Sequence, residues 1–281
     1  LSSPVQIPGT TWADVKNGSA GVLAKKTDGT LWAWGHNSAG QLGQNNRTAY
    51  SSPVQVGSDT TWDKMYRATY KSAAIKTDGT LWMWGSNNYG DLGQNNTTKY
   101  SSPVQVPGTT WSKVNGGQDN FLATKTDGTL WICGQNHMGG LGQNNRTNYS
   151  SPVQIPGTTW NNISSGNYQS FATKTDGTLW GWGVNGQGNL GQNNIVNYSS
   201  PVQIPGTSWV FPVALYNSLC AVKTDGTLWS LGYGAKGQLG VNDRTARSSP
   251  IQIPGTDWVT TAGKWTAGGF RNYHISVLKN P

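Results

Sequence analysis

Apolar residues in this chain come in short runs broken by glycine, proline, asparagine and aspartate, and the runs return in the same order along its length. The first set shows the pattern. Thr11-Trp12-Ala13-Asp14-Val15 leads, Val22-Leu23-Ala24-Lys25-Lys26 is a small apolar run ending on lysines, and Thr30-Leu31-Trp32-Ala33-Trp34 alternates with period two. Ser52-Pro53-Val54-Gln55-Val56 follows after a glycine-rich loop. Each reads as a strand. Asp28-Gly29, between the second and third, is a hairpin signal, because both residues tolerate the positive φ of a tight turn. The proline of the fourth run cannot donate to a ladder, so that strand is expected at the outer edge of its sheet.

The set is a repeat. Ser-Ser-Pro returns with its proline at Pro4, Pro53, Pro103, Pro152, Pro201 and Pro250, and a tryptophan follows at Trp12, Trp62, Trp111, Trp160, Trp209 and Trp258. The spacing is 49 residues, and 50 once, where Val56-Gly57-Ser58-Asp59 is one residue longer than the usual Ile-Pro-Gly turn. Five copies carry Lys-Thr-Asp-Gly-Thr-Leu-Trp, with turn aspartates Asp28, Asp78, Asp127, Asp176 and Asp225. A period of this length with several turns per unit marks a propeller or solenoid. Four strands per unit predict an all-β fold, a β-propeller of four-stranded antiparallel blades. The expected division is one domain with repeats near 12–56, 62–106, 111–155, 160–204 and 209–253. A partial sixth, 258–281, would be closed by an N-terminal strand 2–7. Six blades are expected, or seven if the native chain is longer.

Leu31-Trp32-Ala33-Trp34-Gly35 followed by Gly40-Gln41-Leu42-Gly43, with Asp28-Gly29 upstream, resembles the repeat of the regulator-of-chromosome-condensation propeller family. The pattern returns from Trp82 to Gly93, Trp131 to Gly142, Trp180 to Gly191 and Trp229 to Gly240. The resemblance implies a circular propeller, and with it guanine-nucleotide exchange on a small GTPase or chromatin attachment. The exchange activity would need a protruding wedge, for which the candidate is an insertion around Lys264 to Arg271. The basic tail used for chromatin does not precede the first repeat here. The Gly-Trp-Arg-His-Thr motif of the family's ultraviolet photoreceptor is missing too.

Composition fits a helix-poor chain. Among 281 residues there are 38 Gly and 15 Trp, and all 12 acidic residues are Asp. Charged residues are 11%, against roughly 25% in an ordinary globular domain. Fourteen of the fifteen tryptophans fall at fixed strand positions, which assigns them to packing. Five of the aspartates turn hairpins, flanked by Lys26, Lys76, Lys125, Lys174 and Lys223. The net charge of +8 is therefore spread over the repeat without a dense basic run, and nucleic-acid binding is not expected. No apolar stretch is long enough for a membrane helix. Cys133 and Cys220 fall on strands of different blades and read as buried thiols. With no Glu, three His and no nucleophile, phosphate-loop or metal-ligand motif, neither catalytic residues, metal ligands nor a cofactor are expected. The chain opens on Leu1 without a signal segment and reads as a piece of something longer.

What differs between copies is confined to one expected face, where strand one joins strand two and strand three joins strand four. Six of the seven tyrosines outside the Tyr-Ser-Ser-Pro frame fall there (Tyr70, Tyr89, Tyr168, Tyr216, Tyr233, Tyr273), with His36, His137 and His274. The sixth copy adds seven residues between its Trp and Lys, and they bring Trp265. Aromatic rings beside planar amides suit recognition. The candidate ligand-binding residues are Tyr70, Lys71, Tyr89, Gln118, Asp119, Asn120, Tyr168, Gln169, Tyr216, Asn217, Trp265, Arg271, Tyr273 and His274. The function expected is a non-enzymatic recognition module binding a glycan or a surface protein, in an extracellular, cell-surface or virion setting, with a cytoplasmic one as the alternative. A structural part of a virion or filament and a regulatory scaffold are the other readings.

Overall fold

In the computed structural model, which describes residues 3–18 and 20–258 and the backbone of two short strands, Trp265–Ala267 and Ile275–Val277, the repeat becomes a blade. The first contains β1 (Trp12–Gly18), β2 (Gly21–Lys26), β3 (Leu31–Gly35) and β4 (Tyr50–Gln55), hydrogen-bonded antiparallel in that order. Four more sheets of the same order occupy 62–105, 111–155, 160–204 and 209–253. There is no helix among the described residues.

The Asp-Gly hairpin shows how sequence sets the local structure. Asp28 accepts from the Thr30 amide at 2.9 Å and its hydroxyl at 2.7 Å, and Thr30 Oγ1 accepts from Trp32 Nε1 at 2.8 Å. The bonds from Thr30 hold the Asp28 carboxyl below the usual carboxylate range, and the arrangement returns at Asp78, Asp127, Asp176 and Asp225. These aspartates are structural.

Strand one of each blade packs on strands one and two of the blade before it, and strand four, with its proline, is the outer edge as expected. The core lies in the seams. Leu23, Leu31, Leu42 and Val56 of the first blade meet Trp62, Met65 and Trp84 of the second, none more than 6% exposed. Three further seams repeat this packing. Burying each such side chain stabilises by about 1.5–3 kcal/mol, so the seams hold most of the stability. Backbone clasps add direction: Asn45, Asn95, Asn144 and Asn193 donate their amides to Ser101, Ser150, Ser199 and Ser248 of the next blade at 2.7–2.8 Å. Trp84 and Trp182 donate indole N–H groups across the seam to Gln41 and Gly140 carbonyls at 3.0 and 2.9 Å.

Six blades were expected, and five four-stranded sheets and one two-stranded pair are found among the described residues. Most of the sixth copy lies outside them. Ser3 to Ile7, expected as a closing strand, joins no ladder among the described residues, and Val5 and Ile7 are exposed. The ladder it would complete belongs to the sixth copy.

Candidate functional site

The antiparallel order places the variable loops at one end of the blades and the hairpins at the other. On the variable end, Tyr70 is exposed and meets His36 of the preceding blade edge-on, ring centroids 5.9 Å apart. The Gln41 amide nitrogen lies 3.0 Å from His36 Nδ1 and ties the ring to the blade seam. One seam further on, Tyr89 and His137 form a second edge-on pair at 5.8 Å. Each pair spans two blades.

Asp119 is half-buried and, among the described residues, no hydrogen bond reaches its carboxylate. Burial pushes its pKa up; Lys71 pulls it down in part and Asp91 adds to the rise. Tyr168 is raised mainly by burial, then by Asp119, Tyr216 and Tyr89, which brings these four side chains into one neighbourhood. Gln118 is exposed and Tyr216 and Asn217 are half-buried beside them. The result is an aromatic surface around one carboxylate. Among the described residues no three His, Cys or acidic side chains gather as a metal site. Cys133 and Cys220 are fully buried, and burial pushes the Cys220 thiol up to about 12.

Three candidates leave this surface. Asn120, 3% exposed, accepts through Oδ1 from the Gly117 amide and from Ser165 Oγ. Gln169 is fully buried and donates to the Leu215 and Tyr216 carbonyls of the next blade. Lys71 is 2% exposed and bonds the Asp91 carboxylate, itself 3% exposed, and the Asn120 carbonyl at 3.1 Å. All three occupy the first position of strand two, which points into a seam and not to solvent. Arg271, Tyr273 and His274, the side chain of Trp265 and the wedge around Lys264 to Arg271 lie outside the described residues.

The Lys71–Asp91 pair escaped the sequence reading, although a signal was there. Lys71 stands where other copies have Gly21, Asn120, Gln169 and Ser218, and Asp91 where they have Gln41, Gly140, Asn189 and Gln238. Two opposite charges depart from the repeat in the same copy. Arg67, 4% exposed, is a buried cation of the preceding seam, between the first and second blades, donating to the Gln41 carbonyl at 2.7 Å and Ser72 Oγ at 2.6 Å.

Five segments, 28–65, 78–123, 127–173, 176–214 and 225–263, match the family model described as the regulator of chromosome condensation (RCC1) repeat. No curated protein sequence matches the chain. Among solved structures, that of human WBSCR16 superposes with a TM-score of 0.80 at 20% identity, covering 90% of this chain and 71% of that one. The structure of Kap60 bound to yeast RCC1 (Prp20) gives 0.77 at 18% identity, over 92% of this chain and 66% of that one. Prp20p of Saccharomyces cerevisiae, described with its binding properties to Gsp1p and histones, gives 0.66 at 17% identity, over 96% and 83%. At these identities the structures share the fold.

Proposed function

The chain belongs to the RCC1-repeat family, and from that premise we propose that it is a recognition propeller whose variable end binds a protein partner. One observation carries the reading: loops that join near-identical blades diverge in every copy on one end, against a single altered turn on the other, and there they gather aromatic rings, two histidines and a half-buried carboxylate with no hydrogen-bond partner among the described residues. Unconstrained drift explains divergence but not that concentration. The Kap60 complex of yeast RCC1 supports a protein ligand by analogy of fold. A glycan ligand and an extracellular or virion setting rest on composition alone, and the relatives add nothing to them.

A triple variant, Tyr70→Ala, Tyr89→Ala and Tyr168→Ala, tests the reading against the wild type on protein and glycan arrays. Protein signals present with the wild type and at least about tenfold weaker with the variant support it. Signals on glycans alone, or protein signals unchanged in the variant, overturn it.

The same reading includes a closed ring in which residues 258–281 supply the sixth blade and 2–7 its outer strand. Gly40, Gly90, Gly139 and Gly188 each lie against a Ser of the next blade, a Cβ there meeting the Ser Cα at 2.4–2.7 Å, whereas Gly237 has nothing within 4 Å among the described residues. Val15 supports it too: it is 56% exposed, while Met65 and Ile163, its counterparts in later blades, are each 6% exposed against a neighbouring blade. Among the described residues the repeat thus has one seat without its serine and one Ser-Ser-Pro segment in no ladder.

A further inference from the structure

The hairpin end looks uniform, but one copy differs from the rest in a way that has chemical content. Every blade places the lysine that ends strand two over two indoles: Lys174 Nζ lies 4.8 Å from the Trp160 ring and 4.4 Å from that of Trp180, and Lys26, Lys76, Lys125 and Lys223 repeat the contact. In the second blade the ammonium also meets a carboxylate, Asp59 Oδ2, at 2.8 Å from Lys76 Nζ. Asp59 comes from Gly57-Ser58-Asp59, the turn that is one residue longer than the Pro-Gly of the other copies. Among the described residues Lys26, Lys125, Lys174 and Lys223 form no direct ion pair, and each feels a carboxylate only at longer range, that of the hairpin aspartate two residues on.

The surroundings of two of them, Lys125 and Lys223, are built for an acceptor. A side chain on Gly206 would lie 3.3 Å from Trp209 Nε1 and 3.4 Å from Lys223 Nζ, and glycine leaves that place open between the two donors. Gly108 stands the same way, 3.8 Å from Trp111 Nε1 and 3.5 Å from Lys125 Nζ. Trp111 and Trp209 are 3% exposed, and their indole N–H groups have no acceptor. A buried donor without a partner is destabilising, and an incoming acceptor would relieve it. At Lys174 the site opens into a cavity of about 390 Å³ between the third and fourth blades, lined also by Pro156, Trp180, Asn144 and Pro201.

We propose that the seams at Lys26, Lys125, Lys174 and Lys223 are carboxylate-binding sites for the Asp or Glu side chains of an acidic peptide, and that Asp59 is the chain's own occupant of the fifth. The Asp59–Lys76 contact favours a peptide carboxylate, since the filled site holds one, through the ammonium and not through the Trp62 indole. The indoles and prolines give the methylene groups of the acidic side chain an apolar wall. At Lys125 and Lys223 the ammonium and the indole N–H give its oxygens two donors, whereas at Lys174 the Trp160 indole already donates to the Pro156 carbonyl at 3.2 Å and the ammonium is the donor. One lysine per seam, with no arginine beside it, suits single spaced carboxylates better than a continuous phosphate backbone. These sites face away from the variable end and stand or fall independently of it.

Titration of the full chain with a hexa-aspartate peptide at low salt, followed by tryptophan fluorescence and calorimetry, tests this. Binding is expected, with a hexa-asparagine peptide giving none. Lys125→Met, Lys174→Met and Lys223→Met together should weaken it roughly tenfold or more. Asp59→Asn, which removes no core group, should add a site and raise the stoichiometry. No change in stoichiometry with Asp59→Asn, or full binding by a folded triple variant, overturns the proposal. Preference for tetragalacturonate or single-stranded DNA over the peptide overturns the assignment of the ligand.

Discussion

Lys71 and Lys174 sit at opposite ends of strand two and meet opposite fates. Lys174 rests on indoles at the rim, where water still reaches it, while Lys71 is sealed in a seam against Asp91. A sealed ion pair is costly to break from one side, because the remaining charge stays buried. Lys71→Met should therefore destabilise by about 3–5 kcal/mol in denaturant unfolding, and Lys71→Met with Asp91→Leu should recover most of the loss. If the single and double variants are equally unstable, the pair is held by its shape and not by its charges. Asp119 illustrates the reverse case: its raised pKa means that ionisation opposes folding, a cost present above the folded pKa and relieved as the pH falls. A residue kept at such a cost beside three tyrosines is where a partner's cationic or hydrogen-bonding group has most to gain.

At the scale of the element, a blade is specified from within and joined from outside. The Asp-Thr-Trp relay of the hairpin uses residues within five positions of each other, Asp28 to Trp32, which is why every hairpin and strand three could be read from one sequence. The seam could not be read that way. That Asn120 and Gln169 point inward depends on which neighbour strand two meets, and amide residues near a loop look alike in sequence whether they serve a carbonyl or a ligand. The loops' position was legible from variation among copies, whereas the burial of individual side chains within them was not. The seam's geometry makes its own prediction. Gly139 has φ +77° and a Cβ there would lie 2.7 Å from Ser199 Cα. The positive φ alone costs an alanine about 1–2 kcal/mol, and the clash adds about 1–3 more. Gly139→Ala should thus lower stability by at least about 2 kcal/mol, measured by thermal or urea unfolding.

For the whole molecule, the question is whether the ring closes through residues 2–7 and the sixth copy. Gly237 reports on it, having φ +75° and, among the described residues, no neighbour where its counterparts meet a serine. With the ring closed as proposed, Gly237→Ala should cost as much as Gly139→Ala, and deletion of residues 1–7 should reduce that cost to the backbone part, about 1–2 kcal/mol. An equal, small cost in both chains would rule closure by this strand out. The clasp behind this test has a kinetic consequence. Asn144 bonds the backbone carbonyl of Ser199, not a side chain, and every Ser-Ser-Pro strand carries the same carbonyl. Nothing in the bond tells one copy from another, so during refolding the clasp closes as readily on a wrong copy, or on a second molecule, as on its neighbour. Choosing the neighbour falls to connectivity and to the few seam side chains that differ between copies, such as Lys71 and Asp91, so refolding yield is expected to fall as the chain concentration rises.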